Sequence, residues 1–141
     1  MMQLVAWNDA YSVGNMSLDE QHKQILAMIN ELYTAIKEGH DREAVEPLLR
    51  RLWQYIEAHF SDEEQFMREH DYPDFEYHKS LHDRLRSRTA VYLENPNHVV
   101  GENLLRFLKS WWLEHIQEED QQYTPYARMA TAGHTTLVQE P

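Results

Sequence analysis

Nine histidines fall in a chain of 141 residues, and several stand four residues from one another or from an acid. His59 precedes Glu63 by four, His78 precedes His82 by four, and His115 is followed closely by Glu118, Glu119 and Asp120. On a helix, side chains four apart share a face, so each pair aims its donor atoms at a common point. His22 adds a fifth imidazole of the same kind near the start of the chain. Imidazole nitrogen and carboxylate oxygen together are the donors of a transition-metal site. The chain has no cysteine, which excludes thiolate metal sites, iron–sulfur clusters, disulfides and cysteine catalysis.

Those residues need helices to hold them, and the sequence provides four. Glycine and proline are scarce, at 4 and 5. The first helix is predicted from about Asp19 to Glu38, with the apolar row Leu18, Ile25, Ile29, Leu32 and Ile36. Ser17 or Asp19 is its expected cap, Ser17 with Glu20 having capping-box spacing, and Gly39 its expected terminator. A second helix is predicted from about Arg42 to Glu69 behind an Asp41 cap. Pro47 should either mark its regular start or bend it, because an interior proline removes a hydrogen bond. A third helix starts after Tyr72-Pro73 and runs to about Leu93, and Asn95-Pro96-Asn97 makes a turn. The fourth runs from about Val99 to Gln121 along Leu104, Leu108 and Trp111. Connections this short force antiparallel neighbours, so the expected fold is all-α: an up-down-up-down four-helix bundle. An N-terminal arm carrying Trp7, Tyr11 and Val13 should pack over one end. The expected domain covers residues 1–127, with a flexible tail over 128–141.

His22, His59, Glu63, His78, His82 and His115 all fall on the apolar rows of these helices. Burying an unpaired polar group costs about 2–7 kcal/mol. Several of them together would offset much of a net stability of about 5–15 kcal/mol. A bound cation resolves the conflict by taking up the buried lone pairs. On the fourth helix the acid is ambiguous. A regular helix favours Glu119, four after His115, because Asp120 is turned about 140° away. His40, His70, His98 and His134 lie in loops or at helix ends and read as surface residues.

The formal net charge is −11, which disfavours a nucleic-acid partner. No run of 18 apolar residues offers a membrane span, and Met1 to Asn15 shows no secretion signal. A cytoplasmic protein is expected.

With these residues assembled, the chain resembles the hemerythrins, most closely the stand-alone bacterial members called bacteriohemerythrins. Trp7-Asn8, Val13-Gly14 and Leu18-Asp19-Glu20-Gln21-His22-Lys23 look like the family's first signature. His59-Phe60-Ser61-Asp62-Glu63-Glu64, His78-Lys79-Ser80-Leu81-His82 and His115-Ile116-Gln117-Glu118-Glu119-Asp120 are similar to the other three. The resemblance covers about residues 5 to 125. It implies a metal centre of two non-haem iron ions joined by an oxo or hydroxo bridge. The implied ligands are His22, His59, Glu63, His78, His82, His115 and Asp120, so it selects Asp120 where helix geometry selects Glu119. Glu63 and Asp120 would each bridge both irons, His22 and His59 would bind one iron, and the other three histidines its neighbour. One coordination position is then left open, on the iron with two histidines, and O2 would bind there.

The implied function is reversible O2 binding by a monomer, for carriage, storage or delivery to an oxygen-consuming enzyme, without catalysis by the chain itself. Neutral imidazoles stabilise high-valent iron less than the glutamate-rich sites of ferritin-like proteins, which favours a carrier over an oxidase. Competing readings are an O2 or redox sensor, a di-iron enzyme acting on peroxide or nitric oxide or in iron–sulfur repair, and a zinc site or metal store. Ile25, Phe60, Trp111 and Trp112 are candidates for a dry pocket wall. The family more often carries a smaller aliphatic residue at position 112. Trp112→Leu is expected to change autoxidation more than folding.

Overall fold

The computed structural model describes residues 4–126, apart from the side chains of Trp112 and Leu113. Helix α1 spans Met16–Lys37, α2 spans Asp41–Glu69, α3 spans Phe75–Glu94 and α4 spans Gly101–Ser110. Helix α2 packs against α1 and α3, and α4 against α1, giving the expected up-and-down bundle. The main core gathers Ile25, Ile29, Leu32, Leu48, Leu52, Ile56, Leu104 and Leu108 from the inward rows, each at most 2% exposed. The tail over 128–141, with His134, lies outside the described residues.

The caps differ from the sequence expectation in an instructive way. Helix α1 begins earlier, and its cap is Asn15, whose side chain accepts from the Leu18 amide at 3.0 Å. Asp19 is used differently. It accepts from the Val13 amide and the Ser12 hydroxyl, which pins the arm to the bundle. Asn30 pins it a second time: its buried amide accepts from the Leu4 and Val5 N–H groups and donates to the Val5 carbonyl. The Asp41 carboxylate is not a cap either. Helix α2 starts at Asp41 behind His40 and runs on through Pro47.

Gly39 ends α1 as expected. At φ +77° it turns the chain so that the His40 amide reaches the Ala35 carbonyl and its own amide reaches Ile36. Helix α2 ends with the same pattern of bonds around Asp71, at φ 51°. A side chain in that region costs about 1–2 kcal/mol. His70 caps this end, its ring donating to the Phe66 carbonyl at 2.8 Å and stacking on the Phe66 ring. It is half-buried, not the surface residue that its position near a helix end suggested.

The largest departure is on the last helix. Regular α-helix stops at Ser110, Trp111–Glu119 is a π-helical segment, and Asp120–Tyr123 closes as a short 3-10 turn. The Asp120 amide donates to the His115 carbonyl, a hydrogen bond that spans five residues.

Candidate metal centre

Each helix brings its candidate side chains to one level of the bundle. His22 comes from the second turn of α1, His59 and Glu63 from the later half of α2, and His78 and His82 from the first half of α3. His115 and Asp120 come from the π segment and the turn that follows it. The five-residue bond explains in physical terms which of the two acids turns inward. Closing i→i+5 widens the turn, so a residue five on returns to roughly the same face. Asp120 is therefore carried inward to 0% exposure, beside His115. Glu119 is left half-buried, accepting from the His115 Nδ1 at 3.0 Å.

The seven side chains divide into two groups that share both acids. His22 and His59 face Glu63 Oε2, at 3.1 and 3.5 Å, and His22 also faces Asp120 Oδ2 at 3.1 Å. On the other side His82 lies 3.0 Å from Glu63 Oε1, while His78 and His115 lie 2.8 and 3.2 Å from Asp120 Oδ1. Within each group all donor atoms lie within 4.8 Å of one another. Imidazole nitrogen and carboxylate oxygen bind a transition metal at about 2.0–2.2 Å, which puts two ligands at right angles about 3 Å apart. The observed spacings are those of neighbouring ligands around an ion.

Hydrogen bonding leaves the same atoms unsatisfied. Nε2 of His59, His78, His82 and His115, Glu63 Oε1 and both Asp120 oxygens are buried with no hydrogen-bond partner among the described residues. They meet at ion-pair distance but off the donor–acceptor line. Seven such atoms in a dry interior would be costly without a cation, so the residues present fit a metal centre.

The rings are oriented from behind. His59 Nδ1 meets Gln21 Oε1 at 2.6 Å, and the Gln21 amide is itself fixed by donating to Asp62. His82 Nδ1 meets Glu64 Oε2 at 2.8 Å, and Arg86 donates to that same oxygen at 3.2 Å. With Glu119 on His115, three imidazoles have an acceptor at Nδ1, which keeps the proton there and turns the Nε2 lone pair inward. The Tyr123 hydroxyl, fully buried, donates to Glu63 Oε2 at 2.6 Å. Phe60 lies flat on His82 at 3.9 Å, and Tyr55 stacks on His59 at 5.2 Å. Sequence reading missed Gln21, Glu64, Tyr55 and Tyr123 in these roles. The signal for Gln21 and Glu64 was their place beside His22 and Glu63, but polar neighbours of that kind look like solvated surface.

Charge in the metal-free chain follows from these contacts. Burial pushes His22 down, yet its close contacts with the Asp120 and Glu63 carboxylates carry it from 6.5 up to about 9. His78 behaves alike and reaches about 10. Burial holds His59 below its ordinary value. Burial also works to raise Glu63 and Asp120, but the surrounding imidazoles keep both below the usual carboxylate range, Glu63 well below it. Ile25, Phe60 and Trp111 are buried, with the Phe60 ring against both His82 and Trp111. The Trp112 side chain lies outside the described residues.

The family profile described as the hemerythrin HHE cation binding domain matches residues 14–127. The chain belongs to the hemerythrin family. It is 32% identical over 124 residues to a bacteriohemerythrin of Stenotrophomonas maltophilia, covering 86% of this chain and 80% of that one. It is 33% identical to a bacteriohemerythrin of Methylococcus capsulatus, covering 88% and 97%. A crystal structure of wild-type hemerythrin superposes with a TM-score of 0.78 at 30% identity, covering 88% of this chain and 98% of that one. Hemerythrin membership and the clustered donors agree that this is a cation-binding bundle. Among the described residues, no helix is long and apolar enough to cross a membrane.

Proposed function

We propose that this chain holds two non-haem iron ions through His22, His59, Glu63, His78, His82, His115 and Asp120, and that it binds O2 reversibly there. The observation that carries the reading is the division of donors into a two-imidazole and a three-imidazole group with Glu63 and Asp120 common to both. When bound, a pair of ferrous ions would supply the electrons that hold O2.

The chain's own residues favour holding O2 over consuming it. Cleaving the O–O bond needs protons delivered to it, and apart from the Tyr55 hydroxyl, which has no partner among the described residues, the nearby protic groups are committed elsewhere. Glu64 is bound to His82 and Arg86, Glu119 to His115, and the Tyr123 hydroxyl to Glu63. Burial and the two carboxylates hold the Tyr123 and Tyr55 phenols well above their ordinary value, so neither gives up its proton at neutral pH. Ile25, Phe60, Trp111 and Ile116 keep the surroundings apolar, which limits attack by water. On this reading the chain works as a cytoplasmic monomer that supplies an oxygen-consuming enzyme. The test is metal analysis with absorption spectra under air and under dinitrogen. Two irons per chain and a visible band that disappears on deoxygenation are expected; a colourless zinc protein would refute it.

Loading should also release protons. His22 and His78 stand above 6.5 in the fold, at about 9 and about 10, so both carry protons at neutral pH when no metal is present. Their pairing stabilises the metal-free chain below pH 6.5 and is lost as pH rises through about 9 to 10. Glu63 and Asp120 act oppositely: their contribution is present above their ordinary 4.5 and 3.8 and is lost as pH falls through their lower folded values. The metal-free chain is therefore most stable in mild acid, and metal affinity should climb with pH up to about 9 to 10. Calorimetric titration near neutral pH, in buffers of different ionisation enthalpy, should detect release of protons on loading. Release of none would contradict the pairing.

A further inference from the structure

The seven candidate ligands are not equally sealed. His22, His59, Glu63, His82 and Asp120 are 0% exposed, whereas His78 and His115 each keep 2%. Those two line the grooves along the seam between α3 and the π segment. A groove of about 150 Å³ reaches His115 and a second of about 220 Å³ reaches His78, with Leu81 and Glu119 common to both.

The two grooves differ in charge. The first is lined by Arg84 and Arg88 as well as by acids. The second carries Asp74, Glu118 and Glu119 and is lined by no lysine or arginine. Asp74 stands at the N-cap position of α3, yet its side chain makes no capping bond. Neither it nor Glu118 has a side-chain hydrogen bond or ion pair among the described residues. His78 forms the inner wall. Its Nε2 lies 2.8 Å from Asp120 Oδ1, and among the described residues it is one of two imidazoles of the five whose Nδ1 has no acceptor, the other being the fully sealed His22. A buried imidazole whose inner nitrogen contacts Asp120 and whose outer edge lines the groove thus stands between an acid-lined opening and the centre.

We propose that this second groove is the path by which a divalent cation reaches the centre, gathered at its mouth by Asp74 and Glu118 and handed inward past His78. The inference rests on the metal-centre reading above and adds how the centre fills. A low-dielectric cleft lined with one sign of charge raises the local concentration of counter-ions and so their rate of arrival. Asp74 and Glu118 lie outside both ligand groups, so removing their charge slows loading and release together and leaves the equilibrium affinity unchanged.

The test is stopped-flow uptake of Co(II) by the full metal-free chain, with final metal content measured in parallel. At low ionic strength the double variant Asp74→Asn, Glu118→Gln should load about fivefold more slowly than the unaltered chain. The difference should shrink as salt is added. Final content and affinity should match those of the unaltered chain. Glu43→Gln with Glu102→Gln, an equal change of charge at the far end of the bundle, should load at the unaltered rate. Loading of the groove variant at the rate of this control overturns the path while the metal centre stands. A lower final content overturns it as well, since the acids would then belong to the bound site. An unaltered chain that takes up no metal overturns the metal-centre reading and the path with it.

Discussion

Asp120→Asn is expected to leave less than one metal ion per chain after gel filtration, while Glu119→Gln keeps both. Asp120 Oδ2 faces the two-imidazole group and Oδ1 the three-imidazole group, so one substitution withdraws a ligand from each. The amide also turns an N–H₂ donor toward one of them. Glu119 touches only the outer nitrogen of His115. Loss of such an orienting partner typically weakens metal binding about 10–100-fold, which saturating metal overcomes. The metal-free Asp120→Asn chain should be weaker too, because His22 and His78 lose a buried partner, a change of about 3–5 kcal/mol. Far-UV circular dichroism separates that effect from unfolding. Two ions retained by folded Asp120→Asn, or none by Glu119→Gln, would show that the acids have been assigned the wrong way round.

This pair of acids also marks where sequence reading stops. Five imidazoles and Glu63 were legible because the same three- and four-residue steps that place Leu52, Ile56 and Leu108 in the core place the histidines there as well. Counting along a regular helix then pointed to Glu119. Nothing in the run from Trp111 to Glu119 announces a π-helix: it contains no proline or glycine, and its apolar residues fit a regular helix as well as a wider one. Only the resemblance of the whole His115–Asp120 stretch to the hemerythrins favoured Asp120. The misplaced cap has a similar cause. Ser17, Asp19 and Asn15 are all able to cap a helix, and the choice fell to Asn15 because the arm needed Asp19 to satisfy Val13 and Ser12.

Removing the metal should lower the melting temperature by about 10 °C or more without destroying the fold. A ligand present at a thousand times its dissociation constant stabilises by about 4 kcal/mol. For a chain of this size each kcal/mol shifts the midpoint by roughly 2–4 °C or somewhat more. The fold should survive because protonated His22 and His78 take over part of the cation's role, each lying about 3 Å from a buried carboxylate oxygen. Cooperative melting, at a lower midpoint and with greatest stability in mild acid, is thus the expected behaviour of the metal-free protein. Differential scanning calorimetry with and without a chelator checks it. A midpoint that moves by less than about 3 °C between saturating metal and full removal would mean that the clustered donors are satisfied without an ion.

The two shared carboxylates come from distant stretches of the polypeptide, Glu63 from α2 and Asp120 from the turn after the π segment. During translation the first three helices leave the ribosome while Asp120 is still inside its tunnel. The nascent hairpins then present four imidazoles and a single acid, an incomplete chelate that would hold a passing cation only loosely. On the proposed metal-centre reading, maturation waits for the final turn to dock. That docking is secured by Gln121, whose amide reaches back to the carbonyl of Tyr11 in the N-terminal arm.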